Sequence, residues 1–307
     1  MNEMEFSHIS VLFRETIDSL NIKKDGLYVD CTCGGAGHSK AILELIPDGT
    51  LIAIDRDPDA IEVITQRIGS SPQVEIVNDI FGNIKQILNG RKADGILADL
   101  GVSSFQLDNP ERGFSFHHDA PLDMRMSKSG KSAFDVVNGY AEQKLADIIL
   151  RYGEDKFAKS IAKNIVKSRE EKPVETTLEL AEIIKNSVPQ SVRRGGHPAR
   201  KTFQAIRIEV NDELSTLADA VDDMFHSLKV GGRLSIITFH SLEDRTVKEK
   251  FRGFTQGCTC PKEFPVCVCG NTPEGKLVNK GISASKDELD INNRSRSARL
   301  RTIERLR

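Results

Sequence analysis

The sequence predicts an α/β fold with a parallel β-sheet and an inserted helical domain. Between residues 27 and 100, short apolar runs alternate with amphipathic segments, the pattern of parallel strands joined by crossover helices. The next strong apolar run, residues 232–239, begins about 130 residues later, after a turn at Gly231 and Gly232. The 307-residue chain is long enough for a main domain with an insert of roughly 100 residues.

Each element follows from its own apolar pattern. Four strands are predicted early in the chain, at residues 27–30, 51–55, 74–77 and 95–100. Between them lie helical patterns at residues 39–45 and 60–68 and an amphipathic crossover at 84–88. Later in the chain, residues 143–152, 156–168 and 177–186 have apolar residues at three- and four-residue spacing, which predicts three helices. A further helix, residues 203–228, returns the chain to the sheet. We assign residues 1–106 and 201–307 to the core, and residues 107–200 to a helical insert that recognises the substrate.

Composition indicates an ordinary globular protein, with 38% hydrophobic and 29% charged residues. No apolar run reaches the roughly 18 to 20 residues that cross a bilayer, and residues 1–10 lack the pattern of a signal peptide. We therefore expect a cytoplasmic protein with no membrane partner. The net charge of −2 is uninformative, because nucleic-acid binders need a basic face and not a basic total.

A glycine-rich turn follows the first predicted strand, in the run Asp30-Cys31-Thr32-Cys33-Gly34-Gly35-Ala36-Gly37-His38. Glycines at a strand-to-helix turn let a nucleotide-like ligand approach the backbone. A dinucleotide fingerprint would need a third glycine where Lys40 stands, so the turn does not favour a dehydrogenase. An adenosylmethionine site needs small residues here and a carboxylate after strand two for the ribose hydroxyls, and Asp55 stands at that position.

The fourth strand ends in Asp99-Leu100-Gly101, at the sheet edge where open α/β folds bind ligands. Six runs in this order resemble the bacterial 16S rRNA cytosine-N4 methyltransferase family, RsmH (formerly MraW): residues 7–12, 30–39, 98–104, 112–116, 121–126 and 238–245. They span nearly the whole chain. The resemblance implies a Rossmann-like class I methyltransferase core with an inserted helical domain. It also implies the cofactor S-adenosyl-L-methionine and, as substrate, the N4 amine of a cytidine in 16S rRNA of the small ribosomal subunit.

The resemblance also implies the roles of particular residues. The cofactor-binding residues that it predicts are Ala36, Gly37 and His38 in the turn, Asp55 at the ribose, Phe81 at the adenine, and Asp99 and Gln106 at the methionine end. Ala36 departs from the family, in which this position is often glycine.

A cytosine amine is a poor nucleophile, so an enzyme must hold it in line with the methyl group. We predict Asp99 as the catalytic residue, with the carbonyls of Leu100 and Gly101 as further acceptors for the amine hydrogens. The run departs from the Asp/Asn-Pro-Pro-aromatic motif of many amino methyltransferases. Methylation at ring carbon five would need a cysteine beside this strand, and the sequence has none there.

Two basic segments are candidate RNA contacts. In the first, Arg193, Arg194, Arg200 and Lys201 flank a glycine-containing loop suited to tracking phosphates, although a solvated charged loop has the same pattern. In the second, residues 292–301 alternate like a strand with arginines along one face. An edge strand kept soluble by charge explains that pattern equally well.

The remaining motif is a cysteine cluster, formed by Cys258, Cys260, Cys267 and Cys269. Four thiols are enough for a tetrahedral zinc site. The C-x-C spacing is less diagnostic than C-x-x-C, so we expect free thiols and no metal.

Two other functions remain open from the sequence. The chain could methylate another nucleic acid or a small molecule, which would keep the glycine turn without needing the basic loop. It could also be a nonenzymatic RNA-binding assembly protein, although the presence of Asp55 and Asp99 argues against a decayed site.

Overall fold

A computed structural model describes residues 10–193, 196–261 and 263–307. Residues 7–9 of the first resembling run and the predicted RNA contact Arg194 lie outside these ranges. The chain forms two compact units, one containing the residues up to Gly101 together with Leu214–Arg307, the other containing Val102–Glu213. The predicted insert, residues 107–200, falls inside the second unit.

The first unit contains a seven-stranded sheet with the order β3-β2-β1-β4-β5-β7-β6. Its strands are β1 (Leu27–Asp30), β2 (Thr50–Asp55), β3 (Val74–Asn78), β4 (Ala93–Asp99), β5 (Leu228–Thr238), β6 (Gly275–Leu277) and β7 (Arg299–Arg305). β1 to β5 are parallel, and β7 runs antiparallel to both of its neighbours. The predicted α/β, Rossmann-like fold class is confirmed.

Helices account for most of the remaining regular structure. In chain order they are α1 (Phe13–Leu20), α2 (Gly37–Leu45), α3 (Pro58–Ile68), α4 (Ile84–Leu88), α5 (Ser104–Asp108), α6 (Ala133–Gly139), α7 (Glu142–Gly153), α8 (Ala158–Glu171), α9 (Thr177–Asn186), α10 (Gln190–Arg193), α11 (Ala199–Asn211), α12 (Glu213–His226), α13 (Ser241–Phe254) and α14 (Lys286–Ile291). In the described parts of the chain, no helix combines the length and the hydropathy that a bilayer span requires.

The two faces of the sheet are buried against different helices. Val29 and Ile52 point to the face that packs with α4, α12 and α13. Tyr28 and Leu51, one residue earlier in each strand, belong to the cluster formed with α1, α2 and α3. Successive side chains of a strand point to opposite faces, so continuous apolar runs are expected in strands buried on both sides. Each buried aliphatic side chain contributes about 1.5–3 kcal/mol.

The second unit is a helical domain with its own apolar core, to which α6, α7, α8, α9 and α11 contribute. Ser132 and Thr176 cap the N-termini of α6 and α9 with capping boxes. In each box the hydroxyl of the cap residue accepts from the backbone N–H three residues later, and the acidic side chain of that later residue accepts from the backbone N–H of the cap residue. At Gly153 a Cβ would come within 2.6 Å of the Lys201 carbonyl oxygen. Glycine therefore allows the end of α7 to approach the start of α11.

The helix predicted over residues 203–228 is wrong, because the chain forms two helices there. Asp212 separates α11 from α12 with φ +52°, a left-handed conformation that aspartate tolerates better than most residues. The Asn211 amide fixes the end of α11, donating to the Met124 carbonyl at 2.7 Å and accepting from the Met126 N–H at 2.9 Å. The apolar spacing continues through the break, so the sequence pattern did not reveal it.

The edge strand suggested for residues 292–301 is also wrong. Residues 293–297 form a 3₁₀ turn, and β7 begins only at Arg299. β7 lies between β5 and β6, so it is an interior strand. Arg301 is 9% exposed and binds Asp244 through two hydrogen bonds of 2.7 and 2.9 Å. That arginine is structural, whereas Arg294, Arg296 and Arg299 are exposed.

Candidate active site

Three aspartates mark the carboxyl ends of three adjacent parallel strands: Asp30 on β1, Asp55 on β2 and Asp99 on β4. Burial is the main cause that raises the pKa of Asp30 and of Asp55 to about 6, and a neighbouring carboxylate contributes to each shift. Burial and the charges of Asp30 and Glu243 raise the pKa of Asp99 well above its ordinary range. Carboxylates that lose hydration without gaining a cation are costly, so this edge is suited to a positively charged ligand.

The glycine-rich turn lies between β1 and α2 and is held against β2. The Gly34 N–H donates to Oδ2 of Asp55 at 2.8 Å, and the Cys33 thiol donates to the Ile54 carbonyl at 3.0 Å. Ala36 has φ +63°, a left-handed conformation that costs an alanine roughly 1–2 kcal/mol. Glycine, which the family resemblance leads one to expect there, would adopt this angle without that cost. A Cβ at Gly37 would overlap the Ser10 hydroxyl, which would have to rotate away to make room.

A hydrogen-bond network beneath the turn was not predicted from the sequence. The Ser39 hydroxyl donates to Oδ2 of Asp30 at 2.6 Å, and the Thr32 N–H donates to Oδ1 at 3.3 Å. The Thr32 hydroxyl in turn accepts from the Asp99 N–H at 2.6 Å. The network therefore fixes the turn relative to the end of β4. All three side chains of this network, Asp30, Thr32 and Ser39, lie in the run 30–39 that resembles the family, but the sequence analysis assigned none of them a role.

Asp55 is positioned by its own neighbours at the end of β2. Besides the bond from Gly34, its Oδ1 accepts from the Asp57 N–H at 2.9 Å. Its carbonyl oxygen accepts from the Asn78 amide at 2.9 Å and from the Asp79 N–H at 3.1 Å. Each carboxylate oxygen can accept more than one hydrogen bond. The carboxylate therefore has lone pairs available for the ribose hydroxyls predicted to bind there.

The segment after β3 supports Phe81. Oδ1 of Asp79 accepts from the Ile80 N–H at 2.7 Å and from the Asn83 amide at 2.8 Å. These bonds shape a 3₁₀ turn, Phe81–Asn83, in which Phe81 is partly buried. Asp79 was missed by the sequence reasoning, although its position directly after a parallel strand could have identified it.

The Asp99 side chain has one buried oxygen without a hydrogen-bond partner among the described residues. Its side chain is 25% exposed, but its Oδ1 is buried and has no hydrogen-bond partner among the described residues. The His38 imidazole lies beside this carboxylate, with Nδ1 3.8 Å from Oδ2, too far for a hydrogen bond. His38 is buried and stacks on Phe13, with the ring centroids 5.7 Å apart. A buried acceptor without a donor in the protein is available to a donor from outside the described residues.

The first turn of α13, shortly after β5, contains a residue to which the sequence reasoning gave no role. Glu243 is 2% exposed, and its Oε2 accepts from the Phe239 N–H at 2.8 Å and from the His240 N–H at 3.3 Å. His240 begins α13 and accepts at Nδ1 from the Glu243 N–H, which completes a capping box. Glu243 therefore fixes the chain where β5 meets α13, and its charge acts on Asp99.

Four predicted site residues lie in the second unit, and one more, Arg194, lies outside the described residues. Gln106 is buried and forms a capping box with Ser103 at the start of α5. Arg193 donates to the Val188 carbonyl at 3.3 Å, and Lys201 donates to the Glu154 carbonyl at 2.8 Å. Arg200 is exposed at the start of α11. The cofactor role of Gln106 and the RNA role of the basic residues remain predictions.

β7 is antiparallel to its neighbours in a sheet with this strand order, and a glycine turn lies beside the aspartates that end β1, β2 and β4. These features define a class I methyltransferase. A model of the MraW methylase family matches residues 5–306, and the chain belongs to that family. The family predicted from the six sequence runs is thereby confirmed.

Curated relatives match over the full length. Ribosomal RNA small subunit methyltransferase H of Clostridium botulinum strain Kyoto / Type A2 is 55% identical over 309 residues, covering 99% of this chain and 100% of the relative. The protein of the same name from strain 657 / Type Ba4 is 54% identical with the same coverage. Among solved structures, an rRNA methylase from Streptococcus thermophilus aligns with 98% of this chain and 100% of its own, at 11% identity and a TM-score of 0.45.

Proposed function

We propose that this methyltransferase transfers the methyl group of S-adenosyl-L-methionine to the exocyclic N4 amine of a cytidine in 16S rRNA of the small ribosomal subunit. The observation that carries the proposal is the acidic edge formed by Asp30, Asp55 and Asp99 beside the glycine turn, in a chain 55% identical throughout to a small-subunit rRNA methyltransferase. The reaction would take place in the cytoplasm, where ribosomal RNA is assembled with protein.

The residues present fit this cofactor. Adenosylmethionine carries a sulfonium, which supplies the electrophilic methyl group, and an ammonium. The buried Oδ1 of Asp99 lacks a donor among the described residues, and an ammonium would provide both the hydrogen bond and the charge. Asp55 would accept from the ribose hydroxyls, and Phe81 would contact the adenine. Ala36, Gly37 and His38 would line the methionine portion, with Gln106 as a further contact at that end.

Asp99 is also our candidate for acting on the target amine. Its Oδ1 is buried, whereas part of the side chain is exposed, so its two oxygens meet different surroundings. An acceptor beside the amine would hold it in line and favour its pyramidal, nucleophilic form. The raised pKa also makes this carboxylate a stronger base than an ordinary aspartate. The carbonyls of Leu100 and Gly101 would accept the other amine hydrogen.

We propose the second unit as the part that recognises RNA. Arg193, Arg194, Arg200 and Lys201 would contact phosphates, which position a nucleic acid without reading its sequence. Of the three that are described, Arg200 is the most available, because the other two bind backbone carbonyls. The target base would have to leave its stack to reach the acidic edge.

The test uses labelled adenosylmethionine with two acceptors, naked 16S rRNA and small subunits lacking the modification, followed by nucleoside mass spectrometry. We expect N4-methylcytidine on the assembled subunit, and less of it with an Asp55→Ala variant at a cofactor concentration below saturation. A methylated nucleoside other than N4-methylcytidine would assign a different acceptor atom or base. Cofactor binding without transfer to any acceptor would favour the nonenzymatic assembly protein instead.

A further inference from the structure

The connection between α13 and β6, residues 255–274, has no apolar core of its own. It contains no helix or strand and no buried residue among its described positions. Its large apolar side chains point outward, with Phe264, Val266 and Val268 exposed by 50%, 71% and 72%. A segment of this length without buried apolar contacts needs another source of order, such as a disulfide or a metal.

All four cysteines of this connection converge on one point. The sulfur atoms of Cys258, Cys260, Cys267 and Cys269 all lie within 4.8 Å of one another. The Cys269 sulfur is 3.6 Å from that of Cys267 and 3.7 Å from that of Cys258. Two C-x-C pairs separated along the chain by a proline-containing loop are thus brought together by the path of the backbone.

These distances match a metal site and not a disulfide. A disulfide joins two sulfurs at about 2.05 Å, so neither measured pair is bonded. Four sulfurs each about 2.3 Å from a central zinc ion lie about 3.8 Å apart at the corners of a tetrahedron. The two measured separations are within about 0.2 Å of that value.

Backbone N–H groups point at the sulfurs. The N–H of Thr259 donates to the Cys269 sulfur at 3.4 Å, and the N–H of Asn271 donates to the same sulfur at 3.5 Å. The N–H of Val268 donates to the Cys260 sulfur at 3.4 Å. Such hydrogen bonds stabilise thiolates, which are the form of cysteine that binds metals. In metal sites, donors around the ligand atoms also hold the ligands in the orientation that the metal requires. The Asn271 side chain also donates to the Gly257 carbonyl at 3.0 Å, which joins the two ends of the loop.

We propose that Cys258, Cys260, Cys267 and Cys269 bind one Zn²⁺ ion in a tetrahedral, structural site. Four thiolates are soft ligands that select zinc over magnesium or calcium, and a complete set of four leaves no position for water or substrate. The ion replaces the missing apolar core of residues 255–274. Binding displaces the remaining thiol protons, so the site weakens at low pH. Our expectation of free thiols and no metal relied on C-x-C spacing, which did not show that the two pairs meet.

The test measures metal and free thiols in untagged protein purified from zinc-supplemented medium without chelator. We expect about one zinc per chain by elemental mass spectrometry, with these four thiols protected from alkylation until a chelator is added. A Cys267→Ser/Cys269→Ser variant should retain less than about a tenth of the zinc. Val266→Ser changes an exposed residue of the same loop that provides no ligand, and it should retain all of it.

A second measurement keeps the test decisive if the double variant fails to fold. Cobalt added to reduced, chelator-treated native protein should give the visible spectrum of a tetrahedral tetrathiolate, and zinc should displace it. Limited proteolysis should then cut residues 255–274 only in the metal-free form. Absence of stoichiometric zinc or cobalt uptake by the reduced native chain, or disulfides linking these cysteines in freshly lysed cells, would overturn the proposal. Methyl transfer is not part of this readout, so its outcome is independent of the proposed function.

Discussion

The N–H of Gly34 donates to Oδ2 of Asp55 across 2.8 Å, so the glycine turn after β1 is tied directly to the carboxylate after β2. The backbone that would approach the cofactor and the acid that would bind its ribose therefore form one structure. A change at Asp55 removes the ribose acceptor and also releases the turn.

We expect Asp55→Ala to weaken cofactor binding at least 10- to 100-fold, because hydrogen bonds to a charged acceptor contribute about 1.5–3 kcal/mol each. Titration calorimetry with adenosylmethionine measures this change. Asp48→Ala is the matched control, since it removes an exposed aspartate just before the same strand, at the opposite edge of the sheet. An unaltered dissociation constant in a folded Asp55→Ala protein would remove the ribose assignment.

Cofactor affinity should also depend on pH through Asp55. Its pKa is raised to about 6, so in the free protein the carboxylate form, which accepts from hydroxyl groups, is dominant only above that pH. Below pH 6 protonation competes with binding, and the dissociation constant should rise up to about 10-fold for each further pH unit, since one pKa unit corresponds to 1.36 kcal/mol. Above about pH 7 Asp55 is ionised in the free protein, and its contribution to the dissociation constant should no longer change with pH.

Asp55→Asn is the control for this titration, because it keeps the shape of the side chain but cannot ionise. Its affinity should be lower than that of the native protein at pH 8 and should change less between pH 7 and pH 5. Parallel profiles for the two proteins would assign the titration to another group, such as Asp30, whose pKa is also raised to about 6.

The sequence predicted the first four parallel strands of the sheet well, because each of them is a short apolar run followed by polar residues at its carboxyl end. The predicted strand at residues 27–30 and the predicted helices at 84–88 and 177–186 coincide with β1, α4 and α9. These elements depend on local patterns and on burial from both faces of the sheet.

Features that depend on tertiary register were not predictable in this way. The bonds linking Asp30, Ser39 and Thr32 require β1, the turn and α2 to be placed first. The break at Asp212 interrupts an apolar pattern that continues through it, and only the contacts of Asn211 explain where α11 ends. The convergence of the four cysteines likewise follows from the path of a loop that no apolar periodicity describes.

Asp99 has two proposed roles that kinetics can separate. If its carboxylate binds the cofactor ammonium, Asp99→Asn should raise the cofactor dissociation constant about 10-fold or more, because the charge is lost. If it also positions the target amine, kcat at saturating cofactor should fall about 10²- to 10⁴-fold, the range for acid–base groups. Single-turnover transfer to small subunits and calorimetry measure the two quantities. A variant with unchanged affinity and unchanged kcat would exclude both roles.

Arg200 offers the clearest test of RNA contact. It is exposed on α11, whereas truncating Arg193 or Lys201 would also break bonds to backbone carbonyls inside the helical unit. A side chain that neutralises one phosphate contributes about 0.7–0.9 to the slope of log affinity against log salt. Arg200→Ala should therefore weaken binding to small subunits and lower the magnitude of that slope by about this amount, as measured by filter binding at several salt concentrations. Lys276→Ala removes the same charge from exposed β6 and should leave the slope unchanged. If Arg200→Ala leaves the slope unchanged, as Lys276→Ala should, Arg200 is a solvated surface residue and the phosphate contacts lie elsewhere on the chain.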